Sequence, residues 1–120
     1  MDKLKKAQLK FAYKMALTPH GLYVIRNLAT GACFVDTSTN TTGAMNRHRF
    51  ELQRGVHRCK ALQQDWARDG EQGFVMEVVQ PLEERAEPDF DYAAALEDML
   101  KAWRQANPEA VSTMYKQGGV

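Results

Sequence analysis

Hydrophobic and polar residues are arranged in short strand-like stretches near the start of the chain, and this arrangement predicts a β-hairpin. Residues 22–27 (LYVIRN) are rich in β-branched and aromatic side chains, which favour a strand. A short turn at 27–31 (NLATG) follows, and residues 32–36 (ACFVD) are predicted to form the returning strand. Before the hairpin, an imperfect apolar stripe among lysines predicts a helix over 2–16.

The rest of the chain is dominated by helical spacing, interrupted by one further strand. Apolar residues recur at helical intervals over 43–54, 58–69 and 91–105, and glycine or Asn-Pro ends each of these stretches. Residues 73–79 (GFVMEVV) predict a third strand. The predicted order is therefore α-β-β-α-α-β-α, an α+β domain with helices on the faces of three strands.

Length and composition are typical of a small soluble globular protein. The 120 residues suit a single domain over 1–120, with 44% hydrophobic and 26% charged residues. No apolar run approaches the roughly 20 residues of a membrane span, so we expect no membrane partner. The basic N-terminus has no continuous apolar region, and the two cysteines suggest neither a disulfide framework nor a metal-ligand spacing. We therefore expect a cytoplasmic location.

Charge is unevenly distributed between the two halves of the chain. The net charge is only +1, yet residues 1–61 contain eleven basic and three acidic residues, whereas residues 62–120 contain five and twelve. The basic half could attract phosphate groups. Alternatively, the two halves neutralise each other in the fold or cover solvated faces, and the sequence leaves both interpretations open.

Several short motifs follow one another in a recognisable order. They are GLY at 21–23, FVD at 34–36, NRHRF at 46–50, KALQQDW at 60–66, GFVMEVV at 73–79 and LEDML at 96–100. In order and spacing these motifs resemble the GIY-YIG nuclease superfamily over about residues 20–104. The resemblance is greatest to a branch of small bacterial single-domain proteins, here with a partly degenerate active site.

The resemblance implies both a fold and a chemistry. The fold would be a three-stranded antiparallel sheet flanked by helices, and the activity a metal-dependent endonuclease that hydrolyses phosphodiester bonds. In the family a tyrosine helps to activate water, an arginine stabilises the phosphorane charge, and a glutamate holds a divalent ion. Tyr23 matches the tyrosine, Glu97 matches the glutamate, and His48 falls where some relatives carry a functional histidine. The implied cofactor is Mg²⁺ or Mn²⁺, and the implied partner is nucleic acid, expected to be DNA.

Three positions depart from the family pattern. Phe34 replaces a tyrosine and so lacks its hydroxyl, and Asp36 replaces a glycine with a carboxylate that would repel phosphate. Ala44 stands where the arginine is expected, and loss of one such group typically costs about 10²–10³ in rate. Arg47, one turn further along, could reach the same phosphate, whereas Arg49 lies on a different part of the helix circumference.

Three hypotheses about function remain open at this point. The first is an endonuclease that uses Tyr23, His48, Glu97 and a substitute arginine from Arg47 or Arg49. The second is a nucleic-acid-binding module without hydrolysis, and the third is a protein-interaction role for the acidic segment 83–98, with a homodimer as a further possibility. The residues assigned to phosphate contact are Arg47, His48, Arg49, Arg54, His57, Arg58 and Lys60. Tyr23, His48 and Glu97 also have structural alternatives, as a half-buried strand tyrosine, a structural histidine and a solvated glutamate.

Overall fold

A computed structural model describes residues 20–83 and 85–115, and it contains three strands and four α-helices in that part of the chain. The elements are β1 (Gly21–Asn27), β2 (Cys33–Ser38), α1 (Thr41–Arg54), α2 (Lys60–Asp69), β3 (Phe74–Pro81), α3 (Tyr92–Ala106) and α4 (Pro108–Ser112). The predicted elements from the hairpin to the long final helix are confirmed, while α4 was not predicted. The helix predicted over 2–16 lies outside the described residues. No helix in the described ranges is long and apolar enough to cross a membrane.

The strands form one antiparallel sheet in the order β2-β1-β3. This sheet, with helices on both faces, confirms the predicted α+β architecture. The predicted hairpin turn is stabilised by Asn27, whose Oδ1 accepts the N–H groups of Ala29 and Thr30 at 2.9 and 3.3 Å. The hairpin register places Tyr23 opposite Asp36 and therefore puts both side chains on the same face of the sheet.

The start of β1 lies unusually close to the end of β3. A Cβ atom at Gly21 would lie 2.7 Å from the carbonyl oxygen of Gln80, so a larger residue would push the two strands apart. The pairing of β1 with β3 shifts between Leu22 and Tyr23. Such irregularities re-aim side chains and are common near functional sites. Here the irregularity falls at the tyrosine that the sequence singles out.

The two faces of the sheet pack against different helices. One core cluster consists of Ile25, Phe34, Leu52, Cys59, Leu62, Trp66, Phe74 and Tyr115. The other consists of Leu22, Val24, Cys33 and Val35, against which Met99, Leu100, Trp103, Ala110 and Met114 pack. Because successive strand residues point to opposite faces, α1 and α2 cover the Tyr23 face, whereas α3 and α4 cover the opposite one.

The segment after α4 returns to the hairpin. The backbone N–H of Tyr115 donates to the carbonyl oxygen of Cys33 at 2.8 Å. The buried Tyr115 hydroxyl donates to Oδ2 of Asp65 at 2.7 Å and accepts from Nδ2 of Asn27 at 3.2 Å. This residue therefore joins the hairpin turn to α2, a contact that the weak pattern of the tail did not predict.

Candidate functional site

Tyr23, His48 and His57 form a continuous row of hydrogen bonds on the sheet face covered by α1. The Tyr23 hydroxyl lies 2.7 Å from Nε2 of His48, and Nδ1 of His48 lies 2.8 Å from Nε2 of His57. The backbone N–H of Cys59 donates to Nδ1 of His57 at 3.0 Å. We call these three side chains the Tyr-His-His row. They come from β1, from α1 and from the connection between α1 and α2.

The backbone donor at one end of the row determines which nitrogen of each neutral ring carries a proton. A peptide N–H can only donate, so Nδ1 of His57 accepts and the proton of this ring is on Nε2. The Nε2–H of His57 donates to Nδ1 of His48. The proton of the His48 ring is then on its own Nε2, and it donates to the Tyr23 oxygen. The Tyr23 hydroxyl therefore keeps its own proton and one lone pair for another partner.

Burial keeps the Tyr-His-His row uncharged at neutral pH. Tyr23, His48 and His57 are only 1%, 3% and 5% exposed. Burial, with a smaller contribution from the neighbouring His57, lowers the pKa of His48 from 6.5 to about 4. Burial also lowers the pKa of His57. The pKa of Tyr23 is raised, mainly by burial and then by the negative charge of Asp36.

Arg58 and Asp36 form a charged pair beside the row. Nη2 of Arg58 lies 3.3 Å from Oδ2 of Asp36, and its guanidinium carbon lies 5.7 Å from the centroid of the Phe34 ring. Phe34 in turn meets His48 and His57 edge-on, with ring centroids 5.0 and 5.5 Å apart. Two of the three departures from the family pattern, at positions 34 and 36, thus contact the same arginine. The carboxylate expected to repel phosphate is paired with a cation instead.

His57 does not occupy the surface position that the sequence suggested. Its assignment to a phosphate-contacting surface is wrong, and so is that of His48, because both side chains are buried and all four ring nitrogens take part in hydrogen bonds. Gln63 holds the segment in place: its Oε1 accepts from the backbone N–H of His57 and its Nε2 donates to the carbonyl oxygen of Leu52, each at 3.0 Å. The sequence signal that could have indicated this position is a second histidine shortly after Gly55. Gly55 ends α1, and its φ of 74° turns the chain back.

The predicted phosphate-contacting residues are distributed over several places. Arg47 is exposed on α1, and its charge lowers the pKa of both Tyr23 and His48, so it lies near the row. Arg49 instead pairs with Glu71 at 3.1 Å. The remaining three are Arg54, which lies over the ring of Phe50 at 5.1 Å, Arg58, which pairs with Asp36, and Lys60, which is exposed at the start of α2.

Glu97 lies on a different element from the row. It is exposed on α3, and its Oε1 lies 3.5 Å from Nζ of Lys101. Since α3 packs on the opposite face of the sheet from α1, the structure brings Tyr23 and His48 together but shows no contact of Glu97 with either among the described residues. The carboxylate remains accessible to a ligand from solvent.

A second group of metal-ligand atoms lies within the site itself. Ligand atoms of His48, Glu51 and His57 lie within 4.8 Å of one another, so these residues could hold a metal ion. However, the Cys59 N–H requires a proton on Nε2 of His57, and this proton occupies the space between the two rings. A metal ion bound to both rings would have to displace it and reverse the tautomer of His57.

Comparison with solved structures supports the fold. The catalytic domain of the homing endonuclease I-TevI matches with a TM-score of 0.60 and 21% identity, covering 80% of this chain and 95% of that domain. A point mutant of the catalytic domain of the intron endonuclease I-TevI matches with a TM-score of 0.63 and 16% identity, covering 81% and 91%. No protein-family model matches the sequence, and no curated protein matches it at a significant level.

The chain therefore has the fold of a GIY-YIG nuclease catalytic domain, as the motifs predicted. At this level of identity the likeness concerns the fold alone. The chemistry depends on the Tyr-His-His row and the charges around it.

Proposed function

We propose that this protein is an endonuclease that hydrolyses nucleic-acid phosphodiester bonds, with DNA as the expected polymer. The observation that carries the proposal is the Tyr-His-His row on a sheet with the fold of a homing endonuclease catalytic domain. Burying three polar rings costs free energy unless each is hydrogen-bonded, and here each ring has a partner in the row, which holds the oxygen of the Tyr23 hydroxyl in place. Such preorganisation is what positioning a reactant requires.

In this proposal Tyr23 orients the two reactants. Its free lone pair accepts a hydrogen bond from the attacking water, and its own proton donates to an oxygen of the phosphate. His48 touches the reacting centre only through Tyr23, and His57 acts through His48, so both are positioning residues. Arg47 supplies positive charge that favours the transition state over the bound substrate.

The ion that the fold implies would be held by Glu97. An exposed carboxylate is a suitable ligand, because Mg²⁺ and Mn²⁺ accept one or two protein carboxylates together with water and phosphate oxygens. When bound, the ion would supply Lewis-acid polarisation of a phosphate oxygen, which requires the substrate to reach both Glu97 on α3 and Tyr23 on the opposite face of the sheet. The histidine-rich group around Glu51 suits such ions less well, since Mg²⁺ prefers oxygen ligands and the ring nitrogens already take part in the row.

A plasmid-nicking assay with Mg²⁺ or Mn²⁺ tests the proposal. We expect the wild-type protein to nick the plasmid, and Tyr23→Phe to lower the rate by about 10²-fold through loss of positioning. Glu97→Ala should abolish the metal-supported rate, whereas the adjacent exposed Asp98→Ala serves as its control and should leave it unchanged. Glu51→Gln should also leave the metal dependence unchanged. If the wild-type protein nicks the plasmid neither with Mg²⁺ nor with Mn²⁺, the proposal that it hydrolyses phosphodiester bonds is refuted.

Nucleic-acid binding without hydrolysis is the second candidate. Two observations favour it: Tyr23 is only 1% exposed, and Ala44 leaves the usual arginine position without charge. In that case the wild-type protein would bind DNA with an affinity that falls steeply as salt rises, yet would cleave it under no condition. The same protein preparation can be used for both measurements, so the two functions are separated directly.

A further inference from the structure

We propose, resting on the proposed function, that Arg58 binds the substrate phosphate in place of the arginine missing at position 44. We further propose that Asp36 occupies Arg58 until a phosphate displaces it. Arg58 would therefore be a binding and catalytic residue, and Asp36 an internal competitor that mimics the phosphate. This pair would restrict access to the site without any large conformational change.

Arg58 is held beside the row by neighbours on several sides. It follows His57 directly, and the backbone on either side is fixed by the bonds from His57 N–H to Gln63 and from Cys59 N–H to His57. Its guanidinium lies against the Phe34 ring, an arrangement that orients the cation. The side chain nevertheless remains 60% exposed, in contrast to the buried row behind it.

The position of its charge relates Arg58 to Tyr23. Asp36, which Arg58 contacts, is the cross-strand partner of Tyr23 on the same face of the sheet. In keeping with this, the charge of Asp36 raises the pKa of the Tyr23 hydroxyl and that of Arg58 lowers it. A phosphate bound to Arg58 would therefore lie near the hydroxyl that we assign to orienting water. Two other arginines of this region are engaged elsewhere, since Arg49 pairs with Glu71 and Arg54 lies over an exposed ring.

Exchange of Asp36 for phosphate is physically reasonable. The pair is partly solvated, with Asp36 33% exposed, and exposed ion pairs are weak. A phosphodiester offers two oxygens to the planar guanidinium fork, which is a stronger match than a single carboxylate oxygen at 3.3 Å. The departures at positions 34, 36 and 44 then have one explanation: Phe34 and Asp36 support an arginine that replaces the one absent at Ala44.

DNA binding and cleavage by five variants test this inference. Fluorescence anisotropy with a fluorescein-labelled DNA duplex, without added metal and over a range of NaCl concentrations, gives affinity and its salt dependence. The test pair is Arg58→Ala and Asp36→Asn. The matched control pair is Arg26→Ala and Glu77→Gln, because Arg26 and Glu77 form a similar exposed ion pair at 3.0 Å elsewhere on the sheet.

The two test variants should change the affinity in opposite directions. Arg58→Ala should weaken binding and lower the salt slope of log Kobs by about 0.9, the contribution of one phosphate contact. It should also lower the nicking rate about 100-fold. Asp36→Asn should tighten binding by removing the competitor, and the control pair should change neither quantity. Arg58→Lys, which keeps the charge but not the fork, should restore the salt slope and only part of the rate.

The outcomes distinguish this inference from the proposed function. If the wild-type protein binds and nicks DNA while Arg58→Ala behaves like Arg26→Ala, Arg58 is not the phosphate-binding residue and the inference is overturned alone. If the wild-type protein binds no DNA even at low salt, the proposed function and the inference both fail. A urea midpoint for each variant verifies folding, and weaker binding by Asp36→Asn despite a native midpoint would overturn the competitor role.

Discussion

The buried neutral His48 should make the protein lose stability in mild acid. Its pKa is lowered from 6.5 to about 4 in the folded protein, so the unfolded chain binds a proton more readily between these values. The stabilising contribution is therefore complete above pH 6.5 and is lost as the pH falls towards 4. Two and a half pH units correspond to about 3 kcal/mol in all, of which about 2 kcal/mol is lost by pH 5. The lowered pKa of His57 adds to the loss in the same direction.

Urea unfolding followed by tryptophan fluorescence at pH 8, 6 and 5 measures this loss. Trp66 is buried next to Phe74, with ring centroids 5.2 Å apart, and should report the transition. His48→Gln retains a side-chain N–H but cannot titrate, so its free energy of unfolding should fall less between pH 8 and pH 5 than that of the wild type. The difference between the two declines should be about 2 kcal/mol.

Tyr23→Phe is the control for this measurement. It removes the hydrogen bond to His48 but keeps both histidines, so it should lower stability by about 1 kcal/mol at pH 8 and retain most of the acid sensitivity. Equal declines for the wild type and His48→Gln between pH 8 and pH 5 would refute the assignment of the acid sensitivity to this ring.

Two further substitutions and one thiol-labelling experiment have defined expected outcomes. Tyr115→Phe removes a 2.7 Å hydrogen bond to the carboxylate of Asp65 and should lower the urea unfolding free energy by about 1.5 kcal/mol; an unchanged value would contradict the role of this hydroxyl in joining the tail to α2. Gly55→Ala should cost about 1 kcal/mol in the same assay, because φ is 74° and no atom would contact the added Cβ, which leaves backbone strain as the only cause; a neutral result would mean that the turn relaxes. Cys33 and Cys59 are 4% and 1% exposed, so Ellman's reagent should label neither thiol until urea unfolds the protein, and rapid labelling without urea would show that the core opens locally.

The elements that local pattern specifies were predictable from the sequence. The strand residues of the hairpin are β-branched or aromatic, and the turn between them is closed by Asn27 as its sequence suggested. The helix over 41–54 begins at Asn40, whose side chain accepts the N–H of Gly43, and ends at Gly55. Signals of this kind depend on neighbouring residues only, which is why each predicted element from the hairpin to the helix over 91–105 begins and ends within about two residues of its prediction.

The contacts that make up the site depend on tertiary packing and were less predictable. Tyr23 and His48 were identified through the family resemblance, but the row needs His57, which reaches His48 only because the chain reverses after α1. The pairing of Asp36 with Arg58 depends on how α2 begins relative to β2, and no periodicity in the sequence encodes that distance. For this reason the sequence alone predicted that the Asp36 carboxylate would repel phosphate, since its pairing with Arg58 was not visible there.

The hydrogen bond from Asn27 to Tyr115 has a consequence for how the chain is made. Its partners are 88 positions apart, so the hairpin turn, which leaves the ribosome earlier, cannot acquire this neighbour until residue 115 has been synthesised. The earlier part must meanwhile leave polar groups of Asn27 and Asp65 without their final partner. During translation this contact should therefore form only after residue 115 has left the ribosome, long after the first strand was made.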